Sequence, residues 1–296
     1  MVKCIFLMEP LIIRFRKKSY DLSQRTLLMG VLNVTPDSFS DGGRFVEYEK
    51  AVEQGYRLAK GGADILDIGG ESTRPGAKPL DEEEEIERII PVIRELGPRI
   101  DIPISVDTRK ARVAEKALLA GAEMINDTSA LRFDERMAGV VREGGVPVVL
   151  MHMLGEPETM QAEPRYHDLL GEIIDFFRER MAWAEAQGIL PDGIILDPGI
   201  GFGKSLAEQH NLILLKHLHR FKILGKPLMI GTSRKAFIGR ILGLPPQERE
   251  EGTMATVAVA ILNGANIVRV HEVDRMRRVV QMVDAVIRCP SEGTRP

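Results

Sequence analysis

Cysteine and aromatic residues are scarce in this chain of 296 residues, which has two cysteines, one tryptophan and only 5% Phe, Trp and Tyr together. Cys4 and Cys289 sit near opposite ends of the sequence and form no metal-ligand spacing, so free thiols in a reducing compartment are expected. No His/Cys cluster suggests zinc. Charge of one sign is missing too: 40 Lys and Arg against 43 Asp and Glu leave a formal net charge of −3. That balance removes any global attraction to nucleic acid or anionic lipid, and basic function has to be local. Long apolar runs are absent. The opening stretch MVKCIFLMEPLIIRF breaks at Glu9-Pro10 and again at Arg14, too soon for a membrane span, and it lacks a small-residue cleavage site. These absences predict a cytoplasmic protein that works on small molecules, with neither nucleic acid nor membrane as partner.

What the chain does have is repetition. Eight short apolar runs, at 27–33, 63–69, 103–108, 123–128, 146–152, 193–198, 227–232 and 266–272, each end in a polar residue followed by a loop. The ends read Asn33, Asp67, Asp107, Asn126 with Asp127, His152, Asp197, Ser233 just past its run, and Arg269 with His271. Segments of helical patterning lie between them, each long enough for a crossover. Strict alternation predicts a parallel sheet, and eight repeats in this length predict an α/β fold closed as a (β/α)8 TIM barrel. In such a barrel the carboxyl ends of the strands share one mouth, where all these polar residues would meet. With no internal linker, residues 1–296 read as a single domain. Residues 1–26 are expected to form an N-terminal β-hairpin that closes the bottom of the barrel and buries Ile5, Leu7, Leu11 and Ile13.

Helices are expected over about 45–60, from an N-cap at Asp81 with Glu82–Glu85 in its first turn, and over 109–119, 133–143, 166–187, 206–220, 249–263 and 272–288. Pro91 should kink the second of these. His210, His217 and His219 on the 206–220 helix have no partnering carboxylates and read as solvated. Ala255, Ala258 and Ala260 read as a small-residue face suited to tight packing against the last strand or a second subunit. The loops at 35–43, 71–79 and 154–164 are rich in turn-formers, and nine polar residues at the catalytic end of a barrel are more often functional than not.

Two clusters carry the chemistry. Asp107, Asn126 and Asp197 end neighbouring strands, and a carboxylate with an amide can read the edge of a heterocycle that bears an amino-imino pair. The bland reading, that each bonds only backbone at its strand end, stays open for any one of them. Arg74, Arg234, Lys235, Arg269 and His271 form a positive cluster with Asn33 adjacent. Arg269 and His271 alternate on one strand and so face the same side. Loops after the last two strands are the usual phosphate site of this fold, and arginine forks suit diphosphate oxygens. Asn33 can offer a carbonyl to a hard cation such as Mg2+, completed by phosphate oxygens and water. The stretch GIGFGK lacks the spacing of a dinucleotide or P-loop motif. Its glycines fit a loop passing beneath a flat ligand, with Phe202 nearby, and Gly231 fits a close backbone approach.

NVTPDSFSDGG (33–43), DIGGESTRPGA (67–77), SVDT (105–108), IND (125–127), LMHM (150–153), DPGIGFGK (197–204), GTSRK (231–235) and VRVHEV (268–273), in this order and spacing, resemble the dihydropteroate synthases over nearly the whole chain. The resemblance implies condensation of (7,8-dihydropterin-6-yl)methyl diphosphate with 4-aminobenzoate in folate biosynthesis, with Mg2+ as cofactor, a homodimer and a sulfonamide-sensitive site. It implies pterin reading by Asp107, Asn126, Asp197 and Lys235, with Met151, Phe202 and Gly231 around the ring. Asn33, Thr73, Arg74, Arg269 and His271 are implied for the diphosphate and metal. Loops 35–43 and 71–79 would shape the aminobenzoate pocket. Ala236 departs from relatives that carry a serine there for the aminobenzoate carboxylate. The resemblance leaves a related pterin-binding methyltransferase, or a non-catalytic pterin-binding paralogue, as the alternatives.

Overall fold

The structure is a computed structural model, and it describes residues 11–35, 43–71, 80–155, 160 and 164–290. Ile5, Leu7, Thr73, Arg74 and most of the three loops singled out above lie outside those residues.

Each of the eight apolar runs carries a strand. After the hairpin strands β1 (Ile12–Arg14) and β2 (Ser19–Asp21) come β3 (Leu27–Asn33), β4 (Ile65–Gly69), β5 (Ile104–Asp107) and β6 (Met124–Asp127). β7 (Val148–Met151), β8 (Ile194–Asp197), β9 (Met229–Ile230) and β10 (Ile267–Val270) complete the set. The eight are joined in parallel in the order β8-β7-β6-β5-β4-β3-β10-β9. A parallel bridge from Leu196 to Leu228 brings the two ends of the sheet together, so the sheet closes as the alternation predicts. Between the strands lie α1 (Gly43–Gly61), α2 (Glu82–Leu96), α3 (Ala111–Ala120), α4 (Met137–Gly144), α5 (Leu169–Ala186), α6 (His210–Lys216), α7 (Ala236–Leu242), α8 (Glu250–Leu262) and α9 (Val273–Ile287). None of the described helices is long and apolar enough to cross a membrane.

The strands are apolar on both faces because both faces are buried. Their period of two nevertheless sorts the side chains into two separate cores. Leu28, Leu66, Val106, Ile125, Leu150, Leu196, Ile230 and Val268 point outward into the shell shared with the helices. Leu27, Met29, Ile65, Met124, Val149, Ile195, Met229 and Ile267 point into the barrel, where Ile13, Phe15 and Leu22 of the hairpin pack against them. The hairpin is therefore a stopper. Ile13 pairs with Tyr20 across it. The turn is held by Arg16 donating to the Ala122 carbonyl at 2.7 Å, by the Lys17 ammonium donating to Gly97 and Ile100, and by the Lys17 N–H donating to Glu123.

Two local expectations need correction. The helix expected over 206–220 is α6 alone, seven residues long, followed by a 3-10 segment at Leu218–Leu224. Gln209 before it is left-handed at φ 57°, so the first turn cannot begin earlier. The three alanines of α8 do not form one face: Ala255 and Ala258 are neighbours around the helix, but Ala260 is buried while Ala255 is exposed. Five residues at about 100° each set those two well apart around the helix. α2 runs as one helix through Pro91, whose ring removes one backbone donor. Its N-cap is Asp81, as its composition predicts, with the side chain accepting from the Glu83 N–H.

Because Ile13 is 1% exposed at the centre of the stopper, Ile13→Ala is expected to cost about 2–4 kcal/mol of unfolding free energy. Urea denaturation would read this, with substrate affinity at the opposite end of the barrel left unchanged.

Candidate active site

Two residues beyond each inward side chain of the lower core, the same period of two brings the next inward layer, and its composition changes abruptly. Above Met29, Ile65, Ser105, Met124, Val149, Ile195, Met229 and Ile267 stand Val31, Asp67, Asp107, Asn126, Met151, Asp197, Gly231 and Arg269. A solvent-open cleft of about 460 Å³ lies over this layer, lined among others by Asp107, Asn126, Met151, Asp197, Phe202, Gly231, Lys235 and Arg269. Eight of the eleven residues expected to bind substrate thus meet around one space. Of the other three, Thr73 and Arg74 lie outside the described residues. His271 is joined to the cleft through Ser233, whose Oγ is 2.9 Å from His271 Nδ1. Asn33 ends β3 opposite Gly69 and is partly exposed.

The acidic and basic clusters are not separate. Arg269 donates through Nε to Asp67 Oδ2 and through Nη2 to Asp107 Oδ2, both at 2.7 Å. Asn126 Nδ2 donates to the same Asp67 oxygen at 3.1 Å, while Asp67 Oδ1 is buried with no partner among the described residues. Burial pushes the Asp107 carboxyl up to about 7, against the pull of Arg269 and with Asp67 adding to the rise. Burial likewise lifts Asp197 to about 6, opposed by the Gly199 N–H at 2.8 Å and by Lys235, Arg269 and Lys204. Lys235 is pushed down to about 8 by burial and by Arg269, and its ammonium stands 4.0 Å from the Phe202 ring centroid. Such a site, with its charges only partly compensated, suits a ligand that brings donors for the carboxylates and negative charge for the cations. Met151, Met153 and Met160, with Phe202 packed against them, form an apolar wall fit for a flat ring.

The glycine loop after β8 is left-handed at Gly199, Gly201 and Gly203, with φ of 71°, 83° and 58°. A Cβ on Gly199 would fall 1.9 Å from the His152 carbonyl oxygen, and one on Gly203 would fall 2.5 Å from that of Leu154, so no other residue fits either place. Gly231 is different: it lines the cleft, and a Cβ there would meet Arg269 at 3.7 Å, an ordinary contact within the protein.

Parity explains the remaining strand ends. Asp127, one residue past the inward Asn126, turns outward and accepts from the N–H groups of Ser129 and Leu131. His152, one past Met151, points into the shell, where its ring meets Phe176 edge-on. Arg234, expected in the positive cluster, pairs with Glu272 at 2.6 Å and does not line the cleft. His210 also departs from expectation. It is 4% exposed, accepts from the Ser205 N–H through Nδ1 and has Glu208 2.7 Å from Nε2. In the sequence Asp67 and Ser233 read only as strand ends and Lys204 carries no signal of a role; counting by twos from Ile65 puts Asp67 inside the barrel.

The pterin binding enzyme family model matches residues 29–271. The dihydropteroate synthase of Synechocystis sp. is 50% identical over 270 residues, which cover 91% of this chain and 93% of that one. Among solved structures, the Yersinia pestis dihydropteroate synthase with a sulfonamide drug superposes with a TM-score of 0.88 at 43% identity, covering 93% of this chain and 99% of its own. The Xanthomonas albilineans dihydropteroate synthase with 4-aminobenzoic acid does so with a TM-score of 0.88 at 44% identity, covering 95% and 100%.

Removing the guanidinium that joins two buried carboxylates leaves them uncompensated, so Arg269→Met is expected to lose about 3–5 kcal/mol of stability. Asp107 is protonated more readily in the folded chain than in the unfolded one, so its favourable contribution is present at low pH and fades as pH rises through about 7. The deficit of the variant should therefore be largest above that pH and shrink on acidification. Urea titrations on either side of neutrality measure it, and a deficit that grew on acidification would contradict this electrostatic account.

Proposed function

The chain belongs to the dihydropteroate synthase family, and we propose that the cleft at the mouth of its barrel is where that family's reaction is carried out. It condenses (7,8-dihydropterin-6-yl)methyl diphosphate with 4-aminobenzoate to 7,8-dihydropteroate and diphosphate. The observation that carries this reading is the meeting of Asp107, Asn126, Asp197, Lys235 and Arg269 around one cleft beside an apolar wall.

Asp197, Asn126 and Asp107 read the polar edge of the pterin, and a carboxylate that accepts two parallel N–H bonds is selective in geometry. Met151, Phe202 and Lys235 flank the ring. Arg269 and His271 face the diphosphate together with Thr73 and Arg74, and the Ser233 hydroxyl fixes the orientation of the His271 ring. A cation belongs with this set. Among the described residues no three His, Cys, Asp or Glu side chains are grouped to hold an ion, so the donor set suits one that arrives with the substrate. Asn33 would hold it through its amide carbonyl, the other ligands being phosphate oxygens and water. When bound, Mg2+ would supply neutralisation of the diphosphate charge.

The methylene C–O bond breaks with its electron pair leaving on the diphosphate, drawn by Arg269 and His271. The electron-rich pterin stabilises the cation, and Asp107 beneath it adds opposite charge. The neutral arylamine of 4-aminobenzoate attacks the methylene carbon, the C–N bond forms, and the amine proton passes to solvent. No protein nucleophile is needed. Arg269 bonds Asp107 in the free site, so one guanidinium links the group that stabilises the cation to the group that draws off the anion.

Exposed apolar side chains on α7, α8 and α9, including Ile241, Leu262, Met282 and Val286, support a homodimer through this side of the barrel.

Diphosphate release from the pterin diphosphate should require both 4-aminobenzoate and magnesium; release that ignores the aminobenzoate would sink the reading. Asp197→Asn is expected to weaken pterin binding by about 1.5–3 kcal/mol or more, since each charge-assisted bond is worth that much. For the unaltered chain, pterin affinity measured by calorimetry should fall as pH drops through about 6, where the Asp197 carboxylate is lost.

A further inference from the structure

Beneath the glycine loop, on the side away from the cleft, lies a buried polar cluster that takes no part in the mechanism above. The Lys204 side chain is 0% exposed. Its ammonium donates to the Phe202 carbonyl at 2.9 Å and stands 3.0 Å from His152 Nδ1. His152 is held neutral by burial and by the nearby Lys204 and Arg132 charges, so its Nδ1 is the acceptor. Tyr166 donates its hydroxyl to the Gly203 carbonyl at 2.8 Å, and its ring lies 5.8 Å from Lys204 Nζ. His210 takes the Ser205 N–H, and Asn211 Oδ1 takes the Gly201 N–H at 2.7 Å. Buried side chains thus hold the loop's backbone from below at Gly201, Phe202, Gly203 and Ser205, while the Phe202 side chain rises from it into the cleft wall.

Packing alone does not require an ammonium here. An isolated charge is among the most costly groups to bury, and a neutral chain of the same length would fill the same space. We propose that Lys204 is a positioning residue for the pterin ring: its ammonium fixes Phe202 from beneath the loop and sets a positive charge behind Asp197. This rests on the pterin reading of the cleft. Through Phe202 the effect reaches Lys235, whose ammonium sits on that ring.

The electrostatic side follows from the groups around each charge. Asp197 faces Lys235 after β9, Arg269 on β10, Lys204 from the loop and the Gly199 N–H. Lys204 faces Asp197, Lys235, neutral His152 and the Tyr166 ring. Burial brings Lys204 down to about 7, with Asp197 opposing the fall and Lys235 adding to it. Near pH 6, where Asp197 titrates, Lys204 therefore carries its charge and helps to keep the carboxylate ionised. At pH 8 most of that charge is gone and only the tether to Phe202 remains.

Two variants separate the tether from the charge, with free 6-hydroxymethylpterin as the calorimetric probe and steady-state turnover alongside. Lys204→Gln keeps a donor for the Phe202 carbonyl and removes the charge. It should bind the pterin within about threefold of the unaltered chain at pH 8, a difference in the range of minor substitutions. The acid midpoint of its binding should rise by about one unit. Lys204→Met removes both functions and should weaken pterin binding about fivefold even at pH 8, as loss of a hydrogen bond from a neutral donor implies. Its KM for 4-aminobenzoate should stay within about threefold. Lowered thermal stability with an unmoved acid midpoint in the first variant and unmoved affinity in the second would leave Lys204 a purely structural residue and overturn the proposal. Failure of both variants to fold would overturn it in the same way. If the unaltered chain binds no pterin, the functional reading falls first and this inference goes with it.

Discussion

A guanidinium clasped by two carboxylates inside the barrel is the interaction that the rest of the structure accommodates. Asp67 is fully buried, Asp107 nearly so, and Arg269 bonds both. In water such a triad would be worth little; in the interior its parts cannot be left alone without a cost of several kcal/mol each. The fold meets this condition by stacking. Below the triad the hairpin side chains Ile13, Phe15 and Leu22 pack against a layer that is apolar apart from Ser105, which shields the triad from that end. Above it the barrel opens. The charged layer is placed where one side is dry enough to make electrostatics strong and the other is open enough to admit a ligand.

The opposite wall meets a different demand, which is backbone geometry. A chain that must leave β8 at a carboxylate, pass across the mouth and descend into a helix needs left-handed residues. Gly199 and Gly203 provide them where a side chain would strike the backbone just after β7, and Gly201 where one would crowd the Lys235 side chain. Freedom of that kind is costly in entropy unless something holds the loop once folded. The tethers from Asp197, Asn211, Lys204, Tyr166 and His210 do so, and the Phe202 ring comes to rest against the methionine cluster. Acid arc and apolar wall are thus set by separate means, one by strand register and the other by loop sterics.

Much of this could be read from the order of residues because each strand stops at a chemically odd place. An apolar run that ends in Asp107 or Asp197 has few reasons to do so other than a shared mouth, and the eight-fold repeat supplied the barrel. What could not be read was orientation. In strands buried on both faces the period of two is masked, since Leu66 and Ile68 look no different from Ile65. Asp67 therefore reads as one more strand end until register separates inward from outward, and Arg234, in the loop after β9, is taken from the positive cluster by its pairing with Glu272. His210 escapes the pattern for a related reason: helical periodicity from 206 puts it on a solvated face, but the left-handed Gln209 delays the helix and puts that ring under the loop. Distant tethers such as Lys204 to His152 leave no spacing signal at all. Thr73 and Arg74 lie outside the described residues, so for them the likeness to the family is the whole of the support.

The free site is left electrostatically unfinished, and this bears on how its substrate is chosen. Asp107 and Asp197 are both lifted toward neutrality by burial, Lys235 is lowered toward it, and one oxygen of Asp67 has no partner among the described residues. Asp107, Asp197 and Lys235 are each closer to losing their charge than they would be in water. A fused ring with N–H donors on one edge answers the carboxylates but adds nothing for the cations, and a bare diphosphate does the reverse. Only a molecule with donors at one end and negative charge at the other relieves both, and the relief is coupled because Arg269 touches both halves. On the proposed reading, departure of the diphosphate breaks that balance at the moment a cation forms on the ring. Asp107 is then left facing positive charge from two directions, and its ionised form is worth more than it was with either the intact substrate or the free site. Interactions that strengthen as the C–O bond opens are the ones that accelerate the reaction. The burial that makes the acids poor in the resting barrel is what allows them to respond.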